Sequence, residues 1–425
     1  MKPTRRDLAT GSGALLAMGA LGTPAVLGQA KPRVVVVGGG PGGATAAKYI
    51  ARDSQGAIAV TLVEENETYQ TCFHSNLYIG GFKSYDAIVH RYGTLAATYG
   101  ITLVRSRATQ IDREGKQIVL ADGQRIPYDR LVLSPGIDLK YDSVPGWSKE
   151  AEEAMPHGWK PGRQTQLIKQ KLDAVPDDGT IVMICPPNPY RCPPGPYERA
   201  SMFAHVLKTT GRTKARIVIL DPKESFSKQG VFMPDWEKRY GAMIEWLGPK
   251  VHDGIKSVDP KTGTVVTGFE TYENCAFVNV IPAQMAGAIA RDAGLAPAGG
   301  YCAIDPATMK STADSNIFVL GDACNAGDMP KSAFSANNQA KVAAMVVRSE
   351  LVGGPNFPAR YFNTCWSLVD TDDAIKVGGR YEPKDGRIAA VESFISQPGE
   401  SDEVRKQTQA ENMAWYDAIC ADMFS

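Results

Sequence analysis

Residues 33–43, Arg-Val-Val-Val-Val-Gly-Gly-Gly-Pro-Gly-Gly, constrain the chain more than any other stretch. Val34 to Val37 are four β-branched apolar residues in a row, the pattern of a strand buried on both faces. Gly38, Gly40 and Gly43 follow with the spacing G-x-G-x-x-G, and Ala44 to Ile50 continue as a helix. In such a turn Gly38 permits the tight bend, Gly40 lets the backbone approach a pyrophosphate, and Gly43 lets helix and strand pack closely. Free N–H groups and the helix dipole favour an anion at that point. A second apolar strand, Ile58 to Val63, ends at Glu64, 21 residues after Gly43 and where an acid holds a ribose hydroxyl. The stretch reads as a dinucleotide site; a tight structural turn is the alternative.

The 425 residues are long for one core and suggest two or three domains of ~150 residues. With 43% apolar and 22% charged residues, and 46 basic against 46 acidic side chains, nothing points to nucleic acid or an anionic membrane. The first 30 residues stand apart. Arg5-Arg6 precede an apolar, Gly/Ala-rich run from Leu8 to Leu27, and Gly28-Gln29-Ala30 offers small residues for cleavage. This is the pattern of a signal peptide, and the arginine pair resembles a twin-arginine export signal, which implies a periplasmic protein exported folded. A membrane anchor is the alternative; glycines and Pro24 interrupt the run. All eight cysteines lie beyond it, and export permits disulfides.

After Glu64 comes Tyr69-Gln70-Thr71-Cys72-Phe73-His74-Ser75-Asn76. Cys72 is a lone cysteine in a loop, which is either unreactive or bonded to a cofactor. Ile101 to Val104, Ile118 to Leu120 and Arg125 to Pro127 read as strands, the last two around the turn Asp122-Gly123; Ala108 in this connection is a candidate cofactor contact. Tyr128 to Leu133 is a strand running into Ser134-Pro135-Gly136, where small residues let the chain pass close to a dinucleotide. A connector over 145–162 leads to a second βαβ pattern, with strands Thr180 to Ile184 and Arg216 to Leu220, the latter ending at Asp221. The turn between them carries prolines where a second glycine motif would sit: Cys185-Pro-Pro-Asn-Pro-Tyr-Arg-Cys192-Pro-Pro-Gly-Pro-Tyr-Glu198-Arg199. Proline offers no N–H to a phosphate, so the unit keeps its fold without a nicotinamide site. Cys185 reads as a buried strand-end residue. Cys192 sits on a rigid loop with Glu198 six residues on, and a carboxylate near a thiol can move its proton. Ser315 to Leu320 is a strand ending in Gly321-Asp322, Ser332 to Val347 a helix, Asn363 to Leu368 and Ala374 to Gly378 paired strands, and Glu403 to Phe424 a helix without positive excess. Cys365 is either core or chemistry.

Tyr-Gln-Thr-Cys72, Arg-Cys192-Pro-Pro-Gly-Pro-Tyr-Glu198-Arg, Pro330-Lys331-Ser332-Ala333-Phe334-Ser335-Ala336 and Asn-Thr-Cys365 resemble the flavoprotein subunit of flavocytochrome c sulfide dehydrogenases, within the two-dinucleotide-binding-domain flavoproteins. In the pyridine-nucleotide–disulfide reductases the loop after the second strand carries two cysteines five positions apart; here Leu77 stands at the second. The implied fold class is α/β, with two Rossmann-like dinucleotide-binding domains, an FAD domain holding a nested NAD-domain-like unit, and a C-terminal interface region. The expected boundaries are 1–30 signal peptide, 31–160 and 277–350 the two parts of the FAD-binding domain, 161–276 the second Rossmann-like domain, and 351–425 the interface domain. The resemblance implies FAD held by Gly38, Gly40, Gly43, Glu64, Ala108, Gly136, Asp322, Lys331 and Ser332 and joined through its 8α carbon to Cys72. The start of the Ser332 helix would face the flavin pyrimidine, where its dipole favours negative charge. It also implies a redox disulfide between Cys192 and Cys365, Glu198 as acid/base, no metal, and a c-type cytochrome partner. No Cys-x-x-Cys-His occurs, so haem would lie on that partner. His74 and Cys185 have no implied role.

The expected reaction is sulfide oxidation. Hydrosulfide opens the Cys192–Cys365 disulfide by thiol exchange. One cysteine becomes a persulfide, and the other, Cys365 by preference, passes two electrons to the flavin. Haem then takes them singly, and sulfur leaves as polysulfide or elemental sulfur. Three alternatives remain: a sulfide:quinone oxidoreductase, an NAD(P)H-dependent reductase, and a non-catalytic electron-transfer subunit.

Overall fold

The computed structural model describes residues 30–425; the expected export signal falls outside them save for Ala30. Two parallel sheets and one antiparallel sheet carry the chain. The first has six strands in the order Lys310–Ser311, Asp314–Val319, Arg130–Leu133, Arg33–Val37, Ala59–Val63 and Thr102–Val104. The valine run is its middle: Val34 pairs with Val60 on one side and Arg130 on the other. Val34, Val35 and Val36 are at most 1% exposed, worth ~1.5–3 kcal/mol each in apolar burial. Only Lys310–Ser311 runs antiparallel to its neighbour.

The strand Arg33–Val37 ends in the glycine turn and the helix Pro41–Asp53 begins there, with proline in its first turn and no side chain capping it. Two glycines are required on steric grounds. Gly38 lies at φ +95°, and a Cβ there would stand 2.3 Å from the Ser134 carbonyl oxygen. A Cβ on Gly43 would stand 1.8 Å from the Gly38 carbonyl oxygen. The helix packs against Ala333–Val352, which ends five residues beyond the Val347 that the sequence pattern suggested; Ser332 caps it by accepting from the Ser335 N–H.

The second sheet is parallel throughout, in the order Ile244–Leu247, Arg216–Leu220, Thr180–Ile184, Phe277–Val280. Ile181, Val182 and Met183 are fully buried, as are Ile217 to Leu220 beside them. The third sheet is the antiparallel meander Tyr361–Asp370, Asp373–Lys384, Arg387–Ile395, in which Cys365 faces Val377 and Ser367 faces Ile375. The helix Asp402–Phe424 lies against it, burying Arg405, Thr408, Asn412, Tyr416, Ile419 and Met423 at intervals of three and four, one stripe of a helix. The three sheets belong to one compact unit, Pro32–Ser425. No helix among the described residues is long and apolar enough to cross a membrane.

Candidate functional site

A cleft of about 750 Å³ lies where the loop after Gln70, the proline-rich turn, the start of the helix Ala333–Val352 and the third sheet converge. Cys72, Cys192, Glu198, Ser332 and Cys365 all line it. Residues up to 293 positions apart in sequence thus share one wall. All eight cysteines are free thiols, so Cys192 and Cys365 are not bonded to each other here.

The turn that presents Cys192 is braced from three directions. The Cys192 N–H donates to the Lys331 carbonyl at 2.8 Å, the Trp159 indole N–H to the Arg191 carbonyl at 3.1 Å, and the Tyr190 hydroxyl to the Pro193 carbonyl at 2.6 Å. Cys192 itself lies at φ +59°, and a Cβ on Gly195 would come within 2.9 Å of its sulfur, so glycine follows it for want of space. Glu198 opens the helix Gly195–Thr209 and is 8% exposed. Its carboxylate accepts from the Leu368 N–H at 2.9 Å and from the Asn76 amide at 2.8 Å. Burial pushes its pKa up; those two donors pull the other way.

The two thiols differ. Burial raises both. For Cys192, Cys365 and Glu198 add to the rise. For Cys365, the Asn363 amide and the Lys228 ammonium oppose it. The Asn363 amide N–H lies 3.4 Å from the Cys365 sulfur, and its Oδ1 accepts from the Ser332 hydroxyl at 2.5 Å. The thiolate is therefore better supported on Cys365. Burial likewise raises Cys185, which lines a separate space at the end of the second sheet.

The glycine turn and its surroundings fit a dinucleotide. No side chain makes a capping hydrogen bond at the N-terminus of the helix Pro41–Asp53. Glu64 accepts from the Gly39 N–H at 2.8 Å with one oxygen and holds Asn66 with the other. Asp322 carries a buried carboxylate oxygen with no partner, an acceptor placed for a hydroxyl of a bound chain. Gly136 lies at φ +68°, and Ala108 opens the strand Ala108–Asp112 just beyond Val104, whose carbonyl accepts from the Glu64 N–H. The Lys331 ammonium lies on the Asp322 and Cys324 carbonyls, at 2.9 and 2.6 Å, which fixes the side chain beside Asp322. His74, two residues after Cys72, is buried and stacks on Tyr416 at 4.2 Å between ring centroids. It donates from Nε2 to the Asn412 Oδ1 at 2.8 Å, and burial holds its pKa at about 3.

Several functional neighbours were not singled out from the sequence. Asn76 and Asn363 stand inside quoted motifs and were available to a reader asking what would orient Glu198 and Cys365. Arg199, 1% exposed, holds the His157 and Gly158 carbonyls and lies 4.8 Å over the Trp159 ring. Trp366 and Trp415, with rings 5.2 Å apart, wall the cleft. Lys228 carries no sequence signal.

Comparison with known proteins agrees with this geometry. The patterns of three families match: "Pyridine nucleotide-disulphide oxidoreductase" over residues 32–176, "Sulfide dehydrogenase [flavocytochrome c] flavoprotein chain, central" over 165–282, and "Flavocytochrome c sulphide dehydrogenase, flavin-binding" over 357–424. A sulfide dehydrogenase [flavocytochrome c] flavoprotein chain from Chlorobaculum thiosulfatiphilum is 57% identical over 44 residues, 10% of this chain and 90% of that sequence. The mitochondrial sulfide:quinone oxidoreductase of Dictyostelium discoideum is 22% identical over 325 residues, 73% of this chain and 69% of its own. Among solved structures, the sulfide:quinone oxidoreductase of Aquifex aeolicus superposes with a TM-score of 0.71 at 19% identity, covering 92% of each chain, and shares the fold. The cleft, the glycine cradle and these matches describe an FAD-binding oxidoreductase that acts on sulfide, and the chain belongs to the family of flavocytochrome c sulfide dehydrogenase flavoprotein chains.

Proposed function

We propose that the protein oxidises hydrogen sulfide through a Cys192–Cys365 disulfide and passes the electrons to a c-type cytochrome in the periplasm. One observation carries the reading: Cys72, Cys192, Glu198 and Cys365 line a single cleft although they come from three separate parts of the chain. Hydrosulfide attacks the Cys192 sulfur, the S–S bond breaks, and its electron pair leaves on Cys365. Cys192 is then a persulfide and Cys365 a thiolate, with one negative charge before and after. Asn363 orients the Cys365 sulfur and donates to it. Glu198, with a raised pKa and fixed by Asn76 and Leu368, is the group that takes up the proton which hydrosulfide leaves on the outer sulfur of the Cys192 persulfide. FAD, when bound, would supply a two-electron acceptor able to release electrons singly, and Cys72 would hold it through a thioether. The second βαβ unit takes no NAD(P)H, because prolines replace the glycines and Asp221 is 0% exposed. Phe362, Phe394 and Ile395, all more than 40% exposed on the third sheet, suit the docking of a cytochrome subunit.

Peptide mapping without reductant tests the disulfide directly, and a Cys185–Cys192 pair would end this mechanism. Cys192→Ser or Cys365→Ser is expected to abolish flavin bleaching by sulfide in stopped flow while leaving FAD bound. Acid precipitation should leave a yellow pellet for the wild type and a colourless one for Cys72→Ala. The relative in Dictyostelium, named a sulfide:quinone oxidoreductase, motivates one competing reading. Faster turnover with a water-soluble quinone than with ferricytochrome c would favour it.

A further inference from the structure

Lys228 is 3% exposed, and none of its three hydrogen-bond partners is a carboxylate. Its ammonium donates to the Ser367 hydroxyl at 2.7 Å, the Cys365 carbonyl at 3.2 Å and the Ile375 carbonyl at 3.4 Å. It stands at φ +66° immediately before the helix Gln229–Tyr240, with its ammonium 5.7 Å from the Phe232 ring centroid. An ammonium buried among neutral oxygens is costly unless an anion joins it.

Four charged or titratable groups face it: Cys365 from the third sheet, Cys192 and Glu198 from the proline-rich turn and its helix, and Arg405 from the C-terminal helix. Arg405 is already matched by Asp373, at 2.6 Å, and by Asp235. Glu198 has both oxygens engaged by Leu368 and Asn76, and burial favours its neutral form. Cys192 has Cys365, Glu198 and Cys72 against its ionisation, and the Lys228 ammonium favours its thiolate less than these oppose it. On Cys365 the same ammonium ranks just behind Asn363 and ahead of the opposing Glu198. The anion that suits Lys228 is therefore the Cys365 thiolate, on the residue whose carbonyl it already holds.

We propose that Lys228 is a positioning residue that keeps a positive charge against Cys365 and compensates the thiolate formed when the Cys192–Cys365 bond opens, an assignment that rests on the disulfide reading above. A leaving thiol with a lower pKa leaves faster in thiol exchange. The charge thus sets the direction of the exchange: hydrosulfide goes to Cys192, and the electron pair to Cys365. Lys228 gives up no proton in the step. Burial depresses its pKa and the Cys365 thiolate opposes that fall, leaving it at about 8, so each charge stabilises the other.

The test uses the flavin-loaded protein after reduction with a phosphine. Iodoacetamide labelling of the Cys192 and Cys365 peptides is followed by mass spectrometry across a pH series. In the wild type, Cys365 is expected to titrate below Cys192. Lys228→Met should move the Cys365 inflection up by about one pH unit and slow its labelling at neutral pH about tenfold. Lys228→Arg should restore it. A purely structural clamp would lower the melting temperature of Lys228→Met and leave the inflection in place. That result in folded variant protein, or a wild type in which Cys192 titrates below Cys365, overturns the assignment; the second needs no variant to fold. Labelling of Cys365 before any reductant is added would instead remove the disulfide, a separate failure because the inflections are read on reduced protein.

Discussion

The strands Arg33–Val37 and Thr180–Ile184 each lie between two parallel neighbours, and their surroundings match bond for bond. Gly38 N–H donates to the Val63 carbonyl at 2.9 Å; Cys185 N–H donates to the Leu220 carbonyl at 3.0 Å. Glu64 N–H reaches the Val104 carbonyl at 3.1 Å, and Asp221 N–H the Leu247 carbonyl at 3.0 Å. The side chains then diverge. The first turn is glycine, and its helix starts at Pro41; the second carries prolines, and its helix waits until Gly195. Glu64 holds the glycine loop in partial contact with solvent. Asp221 is buried under the Tyr197 hydroxyl, the Trp246 indole at 3.0 Å and the Lys223 ammonium at 2.6 Å. The same backbone frame serves a dinucleotide in one place and a rigid shelf for Cys192 in the other, and the difference lies in which groups at the strand ends remain free.

The comparison breaks hardest at Gly43. In Gly43→Ala the new methyl meets the Gly38 carbonyl at 1.8 Å, so strand, turn and helix cannot all keep their places. The variant should purify without flavin, a loss of more than about a hundredfold in binding for a clash that displaces the helix N-terminus from the pyrophosphate. Absorbance near 450 nm reads this directly. Asp221→Ala should do the opposite. It leaves a tyrosine hydroxyl and an indole without their acceptor and takes the carboxylate partner from the buried Lys223, for a stability loss of about 3–5 kcal/mol. Flavin content at low temperature should stay full; a colourless Asp221→Ala protein would mean that the two units are not separate in role.

Glu64→Gln is the gentler counterpart. The amide keeps an acceptor for Gly39 but loses charge, which weakens a hydrogen bond to a ribose hydroxyl by about 1–2 kcal/mol. The expected effect is about a 5–30-fold rise in the FAD dissociation constant. It is measured by fluorescence in a Cys72→Ala background, where the flavin exchanges freely. Melting temperature should move little.

How far all this was legible depends on range. The valine run, the glycine spacing and the acid 21 residues on are local, and they placed the first sheet's centre and the dinucleotide turn. The strands Thr180–Ile184 and Arg216–Leu220 were legible for the same reason, as uninterrupted apolar runs between turn residues. Cys72, Cys192 and Cys365 could be joined only through the family resemblance, because nothing local brings residue 192 to residue 365. Lys228 shows the limit most plainly. It stands in Ser-Lys-Gln, the pattern of a solvated loop, and only the approach of the third sheet turns its charge inward. Lys331 was legible only as part of its motif; that its ammonium lies on the Asp322 and Cys324 carbonyls comes from the fold.

The smallest expected effect sharpens the comparison best. Replacing Pro186 and Pro187 together by glycine returns flexibility and N–H donors to the second turn, the property on which the first relies. If the prolines alone exclude a nicotinamide dinucleotide, this variant should gain NADH binding. The structure argues that it will not. Asp221 has no oxygen free to meet a ribose, Lys223 donates to the Pro186 carbonyl at 2.7 Å, and His252 closes on the Asp221 carbonyl at 2.9 Å. The glycines should therefore lower stability by about 0.4–1 kcal/mol each, through the freedom they give the unfolded chain. NADH in stopped flow should leave the flavin absorbance unchanged, as in the wild type. Bleaching by NADH in the double variant alone would locate the lost site in the prolines; bleaching in both proteins would mean that the second unit still takes the dinucleotide.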